Sequence, residues 1–409
     1  SNTIIIAKDT RHSGDLLLTA LASGMMSMGV DVIDLGVLPT PAVAYLTKKH
    51  NYMAGVVISA SHNPFEYNGI KFFNNEGFKL RDEIEEQIEE IILGEKIVER
   101  EVIKGDIGKL YTDDGLGREY EEYLLDLMDF DLTGIKIALD CGNGALYEIA
   151  PRVFKELNAD VVAINTTPDG KNINDNSGST NPGLIQELVL ETGAAFGFSF
   201  DGDADRIIAV DDEGEIINGD SILAICASHL KKNGKLKNNG VVGTVMTNIG
   251  LDKYLDSIDA KIIKTAVGDR YVLEEMINNG YSIGGEQSGH IIFLDNNTTG
   301  DGLATALQLL EIALEEKKRS SELNTLMIHY PQILVNAVVQ NELKYKYMEY
   351  DEIKNAVDAV EEKFDGNGRV VIRTSGTEPL VRVMIEGPDE ELINKEANEL
   401  AILIENVLG

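Results

Sequence analysis

Residues 195–210, AFGFSFDGDADRIIAV, decide the fold. An apolar, β-rich run over 195–200 ends in three alternating carboxylates, Asp201, Asp203 and Asp205, and 207–210 reads as a strand that pairs back on it. Outward from there the same grammar repeats. Upstream, 135–140 (IKIALD) is a strand followed by Gly-Asn-Gly and a helix from Tyr147, with a further strand at 161–164. Earlier still, strands are expected at 3–7, 32–35, 55–58 and 70–73. Helices lie between and after them, one with Leu18, Leu21 and Met25 on its apolar face and others at 41–49 and 81–93. Downstream come a helix at 220–230, strands at 241–246 and 262–265, and helices at 268–278 and 301–314. The last stretch differs: strands at 332–340, 369–373 and 381–386 with helices at 350–364 and 390–407 read as α+β with a more antiparallel sheet. The expectation is three consecutive α/β domains with mixed sheets (1–131, 132–212 and 213–325) and a C-terminal α+β domain (326–409).

Bulk properties agree. A chain of 409 residues predicts two to four domains at about 100–200 residues each. With 43% hydrophobic residues it can build real cores. Two cysteines, Cys141 and Cys226, make neither a disulfide framework nor a four-thiolate zinc site, and their scarcity suits a reducing cytoplasm. No apolar run approaches the roughly 18–20 residues of a membrane span. The formal net charge of −33 repels nucleic acid and anionic membranes, so neither is expected as a partner. Any phosphate must therefore be held by a local concentration of cations, backbone N–H groups or metal.

Four segments carry chemistry. Ser59-Ala60-Ser61-His62-Asn63-Pro64 follows an apolar strand, where α/β sheets collect ligands. Ser61 is a candidate nucleophile, with His62 and Lys71 as nearby helpers; an ordinary Ser/Asn/Pro loop is the alternative. In Asp201-Gly202-Asp203-Ala204-Asp205-Arg206, like charges about 4 Å apart repel by about 4 kcal/mol at an effective dielectric of 20. One arginine does not offset three carboxylates, so a divalent cation, Mg²⁺ first among all-oxygen choices, is the natural resolution. A solvated acidic turn is the alternative; an EF-hand is rejected because its sixth position is Arg206 and the flanks are strands. Gly284–His290 (GGEQSGH) offers a carboxylate, amide, hydroxyl and imidazole suited to sugar hydroxyls. Residues 373–379 (RTSGTEP) with Arg382 can form an anion-binding nest with two forked donors, or a plain β-turn. The loop 264–270 is a weaker phosphate or interdomain candidate, and Asp9, Arg11 and Ser13 weaker still.

In this order the segments resemble the α-D-phosphohexomutase family over essentially the whole chain. LPTPAVAYL, GVVISASHNP, NGIKFF, TAVGDRYV, GGEQSGHII, TTGDG and SGTEPLVRVM are similar to its aminosugar-phosphate branch. Gln287 matters most, because members acting on mannose or glucose phosphates usually carry another residue there. The resemblance implies four domains around a central cleft, a phosphoserine at Ser61, and one Mg²⁺ held by Asp201, Asp203, Asp205 and the Ser61 phosphate. It implies that Glu286 and Ser288 bind the sugar, with His290 and Arg270 beside it. Arg373, Ser375, Gly376, Thr377 and Arg382 would hold the non-reacting phosphate, and Lys71, His62 and Arg206 would flank the transferred group.

The implied reaction interconverts glucosamine 6-phosphate and glucosamine 1-phosphate through glucosamine 1,6-bisphosphate. The implied partner is a small phosphosugar, with a homodimer left open. Phosphomannomutase or phosphoglucomutase activity, a Mg²⁺-dependent phosphatase using an aspartate of DGDADR, and an inactive phosphosugar-binding protein are the competing readings. Two departures stand out. The family pattern opens with a strand, a Gly-Thr-Asp-Gly-Ile-Arg-Gly-like loop and a helix that this sequence does not contain. Without that loop, the first domain is expected to be one strand and one active-site arginine short. Ala204 stands where glycine is commoner, which is tolerated if its backbone is not left-handed.

Overall fold

The computed structural model describes residues 2–94, 106–113, 115–375 and 378–409. Its strands form four sheets. The first contains β1 (Thr3–Lys8), β2 (Asp31–Val37), β3 (Ala54–Ile58), β4 (Ile70–Asn74) and β5 (Leu110–Thr112), in the order β4-β3-β1-β2-β5. The second contains β6 (Lys136–Asp140), β7 (Asp160–Ile164), β8 (Phe196–Phe200), β9 (Ile207–Asp211) and β10 (Ile216–Ile217), in the order β10-β9-β8-β6-β7. The third contains β11 (Gly240–Thr244), β12 (Lys261–Thr265), β13 (Ile283–Gly285) and β14 (Ile291–Phe293), in the order β12-β11-β13-β14. β15 (Gln332–Val338), β16 (Arg369–Thr374) and β17 (Leu380–Glu386) make an antiparallel sheet in the order β15-β17-β16. The fold class is the one expected: three mixed α/β units and a C-terminal α+β unit.

One device recurs in all four. Strands β1–β3, β6–β8 and β11–β13 pair in parallel, which requires helical crossovers, and the central strands β6, β8 and β11 are buried over all or nearly all of their length. The chain then leaves β3, β8 and β13 through a short loop and returns antiparallel as β4, β9 and β14. Those three loops are the Ser61, Asp201–Arg206 and Glu286–His290 segments. The Arg373–Pro379 segment likewise joins antiparallel β16 to β17. Each candidate segment thus occupies the turn out of a strand, fully or largely buried for β3, β8 and β13 and half-buried for β16, where side chains are presented beyond the sheet while the backbone stays anchored.

Packing divides the molecule unevenly. One apolar cluster runs through the first three units, from Ile5 and Leu46 through Phe154 and Phe198 to Leu303 and Leu310. The fourth unit has its own cluster around Ile353, Val383, Ile385 and Ile404. Hydrogen bonds tie it to the third unit: the buried Glu386 carboxylate accepts from Ile249 N (3.1 Å), Gln332 Nε2 donates to Met246 O (3.2 Å) and Arg369 Nη2 donates to Thr247 O. No helix of the described residues is long and apolar enough to cross a membrane.

Candidate active site

Ser61 and the acidic loop meet across 140 residues of chain. Ser61 Oγ donates to Asp201 Oδ2 at 2.5 Å, which joins the turn after β3 to the turn after β8. Lys71 on β4, in register with Val57 on β3, donates to Asp203 Oδ2 (2.6 Å) and Asp205 Oδ2 (3.2 Å). Thr40 Oγ1 donates to Asp203 Oδ2 at 2.5 Å. Arg206 Nη1 donates to His62 Nδ1 at 2.9 Å, and that nitrogen lies 3.5 Å from Ser61 Oγ. Close approach is possible because Gly202 has no side chain: a Cβ there would sit 2.6 Å from the Ser61 carbonyl oxygen.

The third unit grips the same loop. Ile207 N donates to Gly289 O (3.1 Å), and Gly289 adopts φ +91° where a Cβ would collide with Ile207 O. Gly302 N donates to Ala204 O at 3.0 Å. His290 is buried, accepts from Gly300 N at Nε2 (3.1 Å), and holds Nδ1 3.8 Å from Asp205 Oδ1. Its proton therefore sits on Nδ1, facing the carboxylate.

The electrostatics follow from crowding acids in a dry place. Burial, with Asp205 and Asp203 beside it, pushes Asp201 well above the ordinary carboxylate range. Burial also opposes the charge of Asp205, but Lys71 and His290 overcome it and hold that group well below. Burial works against the Lys71 ammonium too, and Asp203, Asp205 and Asp201 together raise it above its usual value. His62 is lowered, by burial and by the Arg206 guanidinium, so it is neutral and its Nδ1 is free to accept.

The loop fits a divalent cation. One oxygen from each of Asp201, Asp203 and Asp205 lies within 4.8 Å of the others. Asp203 Oδ1 and Asp205 Oδ1 are buried with no hydrogen-bond partner among the described residues. Oxygens about 2.1 Å from a common Mg²⁺ fall within such separations, and the donor set is hard oxygen throughout.

The other sequence candidates lie further out. Glu286 is half-buried and accepts from Gly268 N (3.1 Å); Ser288 is exposed. Arg270 pairs with Glu274 at 2.9 Å. A cavity of about 560 Å³ between the first and third units is lined by Lys79, Arg81, Asp269, Arg270, His290 and Thr298, so Arg270 and His290 share one space. Arg373 and Arg382 face each other in register on β16 and β17. Arg382 bonds Glu378 at 3.2 Å, while Nε of both arginines has no partner among the described residues. Burial and Arg382 lower the Arg373 guanidinium. Ser375 is buried and accepts from Glu378 N at 3.2 Å. Gly376 and Thr377 lie outside the described residues.

Ala204 is left-handed, at φ +58°, so the condition for tolerating alanine there is not met. Lys264 pairs with Asp252 at 2.8 Å, and all five N–H groups of Arg11 have protein acceptors, which leaves Arg11 no donor for a phosphate. Thr40 and Asn174 were not anticipated. Asn174 donates to the carbonyls of Ser61 (2.8 Å) and Asn63 (3.1 Å), a role that only long-range geometry reveals.

Comparison with known proteins places this architecture. Models of the four phosphoglucomutase/phosphomannomutase domains match in order: domain I at 1–98, domain II at 118–214, domain III at 218–330 and the C-terminal domain at 334–403. A phosphoglucosamine mutase of Alkaliphilus oremlandii is 58% identical over 99% of this chain and 90% of its own. One of Finegoldia magna is 56% identical over 98% and 90%. A phosphoglucomutase/phosphomannomutase family protein of Burkholderia thailandensis superposes with a TM-score of 0.79 at 25% identity, covering 100% of this chain and 90% of that one. The chain belongs to the phosphoglucomutase/phosphomannomutase family, the α-D-phosphohexomutases.

Proposed function

We infer that the chain is a phosphohexomutase that interconverts glucosamine 6-phosphate and glucosamine 1-phosphate. The observation that carries the reaction class is the 2.5 Å contact of Ser61 Oγ with Asp201 inside a buried acidic triad. The choice of sugar rests on the phosphoglucosamine mutases at 56–58% identity.

In this reading Ser61 carries a phosphoryl group. Its P–Oγ bond breaks as the free sugar hydroxyl attacks phosphorus, giving a bound 1,6-bisphosphate, and the hydroxyl proton is passed on until Ser61 Oγ is again a hydroxyl. Reversal at the other end of the sugar returns a phosphoryl group to Ser61. Phosphate monoesters react extremely slowly unaided, so positioning and charge neutralisation must supply the rate. Asp201, Asp203 and Asp205, with a Ser61 oxygen, would hold Mg²⁺, which when bound neutralises charge on the transferred group. Lys71, charged among the same acids, and Arg206 flank that group, and neutral His62 is within reach of Ser61 Oγ. Glu286, Ser288, His290 and Arg270 are assigned to the sugar. Arg373, Ser375 and Arg382, with Gly376 and Thr377, are assigned to the phosphate that is not reacting, whose binding energy helps hold the reacting end in line. The units of this reading divide after residues 131, 212 and 325.

Turnover of glucosamine, glucose and mannose 6-phosphates tests the sugar; a clear preference for a non-amino sugar rejects that choice. Ser61→Ala tests the chemistry. Near-complete loss of mutase activity, with loss of a one-phosphate mass increment on the Ser61 peptide, is expected. A retained rate would favour the phosphatase reading.

A further inference from the structure

We propose that Arg11 is the positioning residue of the reactive serine: it fixes the backbone of the Ser61 loop and touches neither substrate nor metal. The inference rests on the assignment of Ser61 as the phosphoryl carrier. An arginine beside a phosphoryl site is ordinarily read as an anion ligand. Here that role is closed, because a guanidinium has five N–H donors and all five have protein acceptors. Nε donates to Asp9 Oδ2 (2.8 Å). Nη1 donates to Pro64 O and to Tyr67 O (3.0 Å), and Nη2 to Ser61 O (2.9 Å) and Asn63 O (2.8 Å). Arg11 is 2% exposed, and its side chain and that of Asp9 are closed to solvent.

The loop it holds needs holding. Ser61 adopts φ +53°, a left-handed conformation that a non-glycine residue keeps only when its surroundings over-determine it. Asp9 completes the clamp from the other side. Its carboxylate accepts from Ser59 Oγ (2.6 Å), and Ser59 Oγ in turn accepts from the Ser61 amide (2.9 Å). Asn174 reaches in from the second unit to the same two carbonyls, Ser61 and Asn63. The Ser61 peptide is thereby gripped at its N–H through Asp9 and at its C=O by Arg11 and Asn174. The strained backbone aims Oγ at Asp201.

Arg11→Lys separates charge from geometry, since an ammonium keeps the pairing with Asp9 but cannot fork across four carbonyls. Asn174→Ala removes only the second grip and leaves Arg11 in place. With glucosamine 6-phosphate we expect kcat to fall on the order of 100-fold in Arg11→Lys and about fivefold to tenfold in Asn174→Ala, with KM within about twofold of the parent chain. Melting curves and Mn²⁺ titration report the folded fraction and the state of the acidic triad in the same samples. If Arg11→Lys does not fold, Asn174→Ala decides alone by the same split. A kcat within threefold of the parent overturns the proposal. So does a KM rise of tenfold or more at unchanged kcat, which would mark a direct ligand, and so does a kcat loss that merely tracks a smaller folded fraction. An active Ser61→Ala variant, by contrast, would sink the phosphoserine reading itself, whatever Arg11 does.

Discussion

Two charged regions of the molecule solve opposite problems. Around Ser61 the acids and cations sit in one buried cluster: Lys71 lies 2.6 Å from Asp203 and 3.2 Å from Asp205, and Arg206 bonds His62. In the fourth unit two guanidinium groups of the same sign face each other across adjacent strands, each with an unpartnered Nε. The first region largely neutralises itself, leaving only Asp203 Oδ1 and Asp205 Oδ1 open among its buried acidic oxygens. The second sets two like charges side by side, with only Arg382 bonded to a carboxylate, Glu378, among the described residues. A self-neutralised cluster contributes to folding and holds its geometry in advance. A like-charge pair gives up a little stability and, in the function proposed, keeps its binding energy for the phosphate.

The largest test removes the cation from the first region. Lys71→Met leaves Asp203 and Asp205 buried without their partner, and breaking a buried pair in this way costs about 3–5 kcal/mol. Urea unfolding in EDTA should show that loss, and millimolar Mg²⁺ should recover more stability in the variant than in the parent chain. Equal stabilities in EDTA would mean that the acids are protonated and the region is not a charge cluster at all.

The matching change in the second region should have the opposite profile. Arg373→Met relieves a like-charge pair directly across a ladder, an effect of about 0.2–1 kcal/mol, so stability should hold or rise slightly. Losing a charge-assisted bond to phosphate costs about 1.5–3 kcal/mol, so KM for the 6-phosphate should rise about 10- to 100-fold. A Tm drop of several degrees with unchanged KM would erase the contrast between the regions.

A buried acid with no cation at all gives a third point of reference. Asp301 caps the helix Gly302–Glu316 through Ala304 N (2.9 Å) and accepts from Tyr120 OH (3.0 Å), a tyrosine on the helix Gly115–Asp126. Burial raises its pKa to about 6 from an ordinary value of 3.8. The native chain therefore binds this proton more tightly than the unfolded chain does. The stability it contributes is full below the unfolded value and is lost as pH rises toward 6. Between pH 4.5 and 7.5 the loss is about 2 kcal/mol. Asp301→Asn, followed by denaturant unfolding at both pH values, should remove that difference relative to the parent; an unchanged pH dependence would place the titration elsewhere.

These regions were not equally legible in the sequence. Hydrophobic periodicity found most long helices and most strands, and the acidic triad announced itself because its carboxylates are two residues apart. The helix Gly115–Asp126 was missed. It opens with two glycines, and Gly117 is there because a Cβ would press on Leu38, 2.9 Å away. The helices Gly183–Thr192 and Ile249–Ser257 were missed as well, each only nine or ten residues long. Within the site, Thr40 and Asn174 act across 163 and 113 residues of sequence, and no local pattern encodes such partners. Arg11 was visible but misread. Its residue type suggests an anion, whereas its bonds are to carbonyls.

The smallest effect concerns a residue inside the first region, where a simple rule fails. Ala204 is left-handed at φ +58°, which costs a non-glycine residue about 1–2 kcal/mol. Glycine would relieve that strain. It would also free the unfolded chain, at a cost of about 0.4–1 kcal/mol, and remove a fully buried methyl worth about 0.8 kcal/mol. The three contributions nearly cancel, which accounts for alanine at a position whose backbone favours glycine. Ala204→Gly should therefore shift the unfolding free energy by less than about 1 kcal/mol in either direction, measured by urea titration in EDTA. A gain above about 2 kcal/mol would mean that the loop around the acids carries uncompensated strain. In that case the first region would hold its geometry at a cost to stability, and the contrast with the fourth unit would narrow from its own side.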